Sequence, residues 1–200
     1  MTGADAPARR YRDLATSHWV LPTGALNSLG DVPGVTVGHR TIRREGVNTG
    51  VTAVIPQPSN LFLDKLTAAV EVVNGFGKSA GLMQVAELGT LETPVLLTNT
   101  FGVGRCIDAL IARAVAENPG IGRTTSTVNA VVCECNDGPL SDIQAMAVTE
   151  ADALAALDAA SPDFAQGSVG GGTGMTAFGF KGGIGSASRR QRFQSGSISC

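Results

Sequence analysis

The sequence predicts an α/β domain, and three observations carry that prediction. Strand-like apolar runs alternate with segments of helical periodicity along a single chain of 200 residues, the pattern expected of strands and helices packed in layers. No internal repeat or linker interrupts the alternation, and a chain this long is about one domain, able to hide about 70% of its unfolded surface. Apolar residues make up 43% of the sequence and the mean hydropathy is +0.15, too apolar for a disordered chain.

The elements follow in order. Residues 1–24 are polar and Arg-containing and read as an N-terminal arm. VPGVTVGH (32–39) alternates after Pro33 and reads as a first strand, and VTAVIP, ending at Pro56, as a second. AAVEVVN (68–74) is a third strand candidate. SAGLMQVAELG then reads as a helix with Ser79 as N-cap and Gly89 as stop, the residue types that favour those ends. PVLLTNT (94–100) reads as a buried strand. The clearest helix spans Val103 to Asn118, with Val103, Ile107, Leu110, Ile111, Ala114 and Val115 on its core face. TVNAVVCECN (127–136) is the clearest strand, and TEADALAALDAAS (149–161) a helix opened by a Thr149/Asp152 capping box. Residues 190–200 read as a polar tail outside the domain.

Charge narrows the function. Fifteen Lys and Arg face 17 Asp and Glu, for a net charge of −2. Bulk attraction to nucleic acid or to an anionic membrane is therefore not expected. No run of 18 apolar residues and no signal-like apolar segment near the N-terminus is visible, and the four cysteines are sparse. A reducing, cytoplasmic setting is the expectation.

The segment AAVEVVNGFGKSAGLMQ imitates three motifs. Gly77-Lys78-Ser79-Ala80-Gly81 fits the G-x-S-x-G nucleophile elbow, but that mechanism needs a His after the Ser. The two histidines, His18 and His39, both precede it. A phosphate-binding P-loop would need glycine at position 72, which is Val72. Gly75-Phe76-Gly77-Lys78-Ser79-Ala80 fits a relaxed dinucleotide fingerprint, with Glu92 as the only acidic partner at the required distance. A glycine-rich turn between strand and helix is the simpler reading.

Side chains alternate faces along a strand. In VVCECN, Cys133 and Cys135 share one face and read as small core residues, whereas Glu134 and Asn136 share the other. Zinc needs four ligands, and the Cys133/Cys135 pair has too few companions, so no metal site is expected. A carboxylate in an apolar strand is costly unless paired or solvated. Glu134 and Asn136 stand where the strand runs into the turn Asn136-Asp137-Gly138-Pro139, at the strand end where open sheets keep their sites. Residue chemistry alone leaves two readings open: a ligand for a substrate ammonium, or an internal ion pair with an arginine.

Glycine is the compositional outlier, at 26 of 200 residues with nine between Gly167 and Gly185. That density removes side chains where backbones or a ligand must approach closely. With Asn27-Ser28-Leu29-Gly30-Asp31-Val32-Pro33-Gly34-Val35-Thr36-Val37-Gly38-His39, Thr49-Gly50-Val51-Thr52, Asn74-Gly75-Phe76-Gly77, Leu91-Glu92-Thr93-Pro94-Val95, Leu97-Thr98-Asn99-Thr100 and Glu134-Cys135-Asn136-Asp137-Gly138, it completes an ordered pattern. Over residues 25–189 this pattern resembles the DmpA-type L-aminopeptidase/D-esterase family, which includes the bacterial β-aminopeptidases.

The resemblance implies an α/β layered sandwich, two β-layers flanked by helices as in ornithine acetyltransferases. It implies a precursor that cuts itself into two chains. The second chain then begins with a nucleophilic Ser whose α-amino group assists as base, and an acyl-enzyme releases N-terminal residues from peptides, amides or esters. By position, Glu134 matches the carboxylate that holds the substrate ammonium, and Asn136 its neighbour in the pocket. Pro139 stands where the family carries a larger side chain. No cofactor and no metal are implied, and the full-length family is expected to be homo-oligomeric. The nucleophilic Ser and oxyanion Asn are expected beyond Cys200. Gly196-Ser197 mimics a cleavage point but lies too close to the glycine cluster. The sequence thus reads as a first-chain portion, incomplete at its C-terminus, inactive alone and poorly soluble or oligomeric. The alternatives are an inert fragment, an amine-binding module and, more remotely, a nucleotide-binding protein; no self-cleaving Thr motif supports an acetyltransferase.

Overall fold

The computed structural model describes residues 20–193 and 196–199; His18 and most of the N-terminal arm lie outside them. The architecture is mixed α/β. Strands β1 (Thr36–Arg44), β2 (Val47–Ile55), β5 (Val95–Asn99) and β6 (Val131–Cys135) form one sheet in the order β1-β2-β5-β6. The first three pair antiparallel, and β5 pairs parallel with β6, placing Thr98 opposite Glu134 and Asn99 opposite Cys135. Two-residue ribbons are made by β3 (Leu66–Thr67) with β4 (Thr90–Leu91) and by β7 (Thr176–Ala177) with β8 (Phe180–Lys181). The residues read as a polar tail form a further antiparallel ribbon, β9 (Arg190–Phe193) with β10 (Gly196–Ser199).

Helices α1 (Leu82–Leu88), α2 (Val103–Glu117) and α3 (Glu150–Asp158) complete the fold. Parallel strands need a crossover, and α2 supplies it between β5 and β6. Helices α2 and α3 pack on each other and on one face of the sheet. The core lies there: Val51, Ala53, Leu96 and Val132 meet Val103, Cys106, Ala109 and Leu110 of α2 and Ala153, Ala156 and Leu157 of α3. Burial pushes the Cys106 thiol up to about 12, so it acts as an inert apolar residue. The α3 capping box forms as read, with Asp152 N–H donating to Thr149 Oγ1 and Thr149 N–H donating to Asp152.

Four expectations are corrected. Residues 68–74 form no strand; Val72 and Val73 are exposed, because nothing is there for an apolar run to pack against. Ser79 does not cap α1. The N-cap is Gly81, at φ +80°, while Gly89 ends the helix at φ +65° as read. On α2, Ile111 and Val115 turn partly outward and Cys106 and Ala109 take the core positions, since small residues let the alanine-rich α3 approach closely. Cys133 and Cys135 do not enter the helix-side core. They face the opposite side, where Cys133 is half-buried and Cys135 exposed.

That opposite face is covered by glycine. The turn Gly170–Gly172 lies on β1, β2 and β5. Gly170 N–H donates to Thr41 Oγ1 at 2.8 Å and Gly171 N–H to Thr52 Oγ1 at 3.0 Å. A Cβ on Gly171 would stand 2.6 Å from Leu97 O, so only glycine fits this contact. Since Thr52 Oγ1 accepts from Gly171, its proton goes to His39 Nδ1, 2.9 Å away, and His39 Nε2–H donates to Ala165 O at 2.9 Å. Burial lowers the His39 pKa, opposed by the Ala165 bond. At the margin of this face, Ser188 Oγ–H donates to Asp31 Oδ2 at 2.6 Å, and this bond together with the Leu26 N–H holds the Asp31 carboxyl below its usual range. The sheet and glycine segment flank an open apolar pocket of about 300 Å³, lined in part by Leu97, Cys133, Met175 and Ile184.

Candidate active site at the C-terminal end of β6

The site begins with a strand edge. Ala80 bridges Val132 through two main-chain bonds, Ala80 N–H to Val132 O at 2.8 Å and Val132 N–H to Ala80 O at 3.2 Å. Gly81 must follow, because a Cβ there would strike Ala130 O at 2.2 Å and its φ is left-handed. Asn129 Nδ2 donates to Gly81 O at 2.9 Å. The glycine turn that imitated phosphate-binding motifs is thus stitched beside β6, aiming the Lys78 backbone N–H at Glu134.

Glu134 is half-buried. Its Oε1 accepts the Lys78 N–H at 2.7 Å, and its Oε2 accepts the Thr100 hydroxyl. Glu134 N–H donates to Ser79 Oγ at 3.3 Å. Among the described residues no Lys, Arg or His lies within ion-pair distance of this carboxylate, so the internal ion pair with an arginine is not formed. Both carboxylate oxygens are held by neutral donors, and the charge has no cation opposite it.

Thr100 is placed by the end of β5. Asn99 Oδ1 accepts the Gly102 N–H at 2.8 Å and caps the turn that leads into α2. Asn99 Nδ2 donates to Asp137 Oδ1 at 3.2 Å. Asp137 is fully buried and its second carboxylate oxygen has no partner. A buried acceptor left unpaired is unfavourable, yet this one sits in the loop that carries the site. The chain of bonds from Asp137 through Asn99 to the Thr100–Gly102 turn fixes the hydroxyl that meets Glu134.

Glu134 and Asn136 line one open cleft of about 490 Å³ together with Asn74, Phe76, Lys78, Thr100 and Phe101. Asn136 is exposed, and its Oδ1 accepts the Gly138 N–H at 2.8 Å, which leaves its amide N–H groups free to face the cleft. The structure therefore brings the two singled-out residues together. Reading the sequence missed Lys78, Ser79 and Thr100 as partners of Glu134. The available signal was the pairing of LTNT with VCECN, whose parallel register puts Thr98 opposite Glu134 and Thr100 two residues further on, past the strand end.

The imitated motifs do not survive folding. Ser79 Oγ accepts a backbone N–H, and His39 is engaged by Thr52 and Ala165. Glu92 is buried, accepts Asn129 N–H at 2.6 Å and pairs with Lys65 at 3.3 Å, a structural assignment. No strand runs directly into the turn at 75–80, since residues 68–74 are not in a strand, so the dinucleotide context is missing.

A second cleft of about 440 Å³ lies at the opposite end of β5, beside Pro94, Leu110, Arg113 and Glu92. Its polar groups are engaged by neighbouring residues, Glu92 by Lys65 and Asn129, Arg113 by Glu117, and Asn60 and Asn118 by each other. It offers no counterpart to Glu134, whose carboxylate meets no cation among the described residues. Among the described residues no helix is long and apolar enough to cross a membrane.

The chain shares its sequence pattern and fold with known proteins. The family model described as peptidase family S58 matches residues 27–199. The β-peptidyl aminopeptidase BapA of Sphingosinicella microcystinivorans is 40% identical over 197 residues, covering 93% of this chain and 48% of that protein. Among solved structures, the PH0078 protein of Pyrococcus horikoshii OT3 superposes with a TM-score of 0.91 at 42% identity, covering 94% of this chain and 56% of the other. The L-aminopeptidase D-Ala-esterase/amidase of Ochrobactrum anthropi, described as a variant of the Ntn hydrolase fold, superposes with a TM-score of 0.82 at 36% identity, covering 95% of this chain and 55% of the other. The chain spans about half the length of the curated relatives it matches. With a match across most of its length and a fold shared with a serine aminopeptidase, this chain belongs to peptidase family S58.

Proposed function

We propose that this chain is the amine-recognition portion of a self-processing serine aminopeptidase that releases N-terminal residues from short peptides, amides or esters. One observation carries the reading: Glu134 is a half-buried carboxylate with neutral donors on both oxygens, no cation opposite, and an open cleft in front of it. A substrate α-ammonium supplies the missing charge and donates charge-assisted hydrogen bonds, which are stronger than neutral ones. Asn136 then donates to the carbonyl of the same substrate residue. The nucleophilic Ser and an oxyanion-stabilising Asn come from a second chain produced by self-cleavage: the Ser oxygen bonds to the carbonyl carbon, the scissile C–N or C–O bond breaks, the rest of the substrate leaves as an amine or alcohol carrying the Ser proton, and water then hydrolyses the acyl-enzyme to release the N-terminal residue. The relatives' names, β-peptidyl aminopeptidase and L-aminopeptidase, support the substrate class. No cofactor takes part.

The reading separates binding from hydrolysis. In calorimetry, L-alaninamide binds the 200-residue chain, and Glu134→Gln weakens binding by about 10-fold or more, the scale of a lost hydrogen bond to a charged group. L-Alanyl-p-nitroanilide is not hydrolysed by the chain alone. Equal binding by wild type and Glu134→Gln would remove Glu134 from substrate recognition. Robust hydrolysis would show that the 200 residues carry their own nucleophile.

A further inference from the structure

We propose that Lys78 makes the Glu134 cleft selective for short peptides bearing a free carboxylate. This inference rests on Glu134 as the ammonium ligand and adds a second charge to the same site. Lys78 N–H donates to Glu134 Oε1 at 2.7 Å, so the residue is anchored beside the carboxylate. Its side chain does not reach back to that carboxylate. Lys78 Nζ instead donates to Phe76 O at 2.5 Å and stands 3.8 Å from the centroid of the Phe76 ring. Both residues line the cleft that holds Glu134 and Asn136.

An ammonium has three donors, and Phe76 O takes one. Among the described residues no carboxylate lies within ion-pair distance of Lys78 Nζ, and the residue is exposed. The cleft thus presents one unneutralised anion and one unneutralised cation, separated by a single residue and its side chain. The loop between them is held by the Ala80–Val132 bridge and by Phe76 N–H donating to Asn74 Oδ1 at 2.9 Å. A zwitterionic dipeptide carries the complementary charges. At about 3.5 Å per extended residue its ends lie about 7 Å apart, a separation that a lysine side chain on a neighbouring backbone can meet. Charge complementarity of this kind sets preference more than raw affinity. An exposed Lys–carboxylate contact is modest, so the preference is about two- to fivefold.

The test compares L-alanyl-L-alanine with its C-terminal amide by calorimetry on the full chain at neutral pH. Wild type binds the free dipeptide about two- to fivefold more tightly than the amide, and salt at about 0.5 M erases the difference. Lys78→Met lowers dipeptide affinity to that of the amide, and Lys78→Arg keeps the preference. Equal wild-type affinity for the two ligands, or a preference that persists in Lys78→Met, overturns the role of Lys78 while leaving Glu134 in place. Failure of both ligands to bind, or binding indifferent to Glu134→Gln, overturns the ammonium reading itself.

Discussion

The two faces of the central sheet are covered by opposite means. On one face, α2 and α3 press aliphatic side chains into Leu96 and Val132, and burial of apolar area provides the cohesion. On the other, the turn at Gly170–Gly172 lies on the strands through backbone contacts, with threonine hydroxyls receiving its N–H groups. The first face tolerates changes of shape at the cost of a cavity. On the second, a Cβ at Gly171 or Gly172 would press on backbone, so an added atom there is strained. The candidate site lies at the C-terminal end of the parallel pair β5–β6, where one carboxylate is left without a counter-charge.

Substitutions that strike one face and spare the other test this contrast. Leu96→Ala should cost about 3–5 kcal/mol by leaving a cavity among Val132, Ala109 and Leu110, read as a lowered denaturation midpoint in urea. Gly171→Ala should cost about 1–3 kcal/mol through steric strain. A change within about 0.5 kcal/mol would mean that the glycine segment is loosely docked and would break the comparison. Thr149→Ala removes one half of a capping box on the helical face and should cost about 1 kcal/mol.

The smallest effect is a pH dependence confined to the glycine face. His39 has a lowered pKa, its first cause being burial, and its Nδ1 accepts the Thr52 proton in the neutral form. A group whose folded pKa lies below its unfolded value contributes stability above the unfolded pKa, about 6.5 for histidine. That contribution is lost as pH falls below it. The melting temperature should therefore drop between about pH 7.5 and pH 5.5, and His39→Gln should flatten the drop. Asp31 follows the same sign at lower pH: its contribution is present above about pH 4 and lost below it. An unchanged slope in His39→Gln would exclude His39 as the sensor.

How much was legible in the sequence varied with the physics involved. The strand VVCEC, the α2 crossover and the α3 capping box were readable because periodicity and cap chemistry are local signals. Residues 68–74 were misread because an apolar run says nothing of whether a neighbouring strand exists; Val73 is 96% exposed. The faces of Cys133 and Cys135 were assigned correctly relative to Glu134 but to the wrong layer, since alternation does not say which layer is the core. Glu134 and Asn136 were legible as a pair sharing a face near a turn. The partners of Glu134 were not. Lys78 is 56 residues and Thr100 34 residues away, and only the Ala80–Val132 bridge and the parallel register bring them together.

The most direct measurement of the central claim asks whether this cleft recognises a positive charge. Calorimetry on the full chain would compare L-alaninamide with N-acetyl-L-alaninamide, which differs by lacking the ammonium. Binding of the free amine, with no detectable binding of the acetylated compound and loss of the difference in Glu134→Gln, is the predicted result. Equal binding of the two compounds to wild type would contradict it.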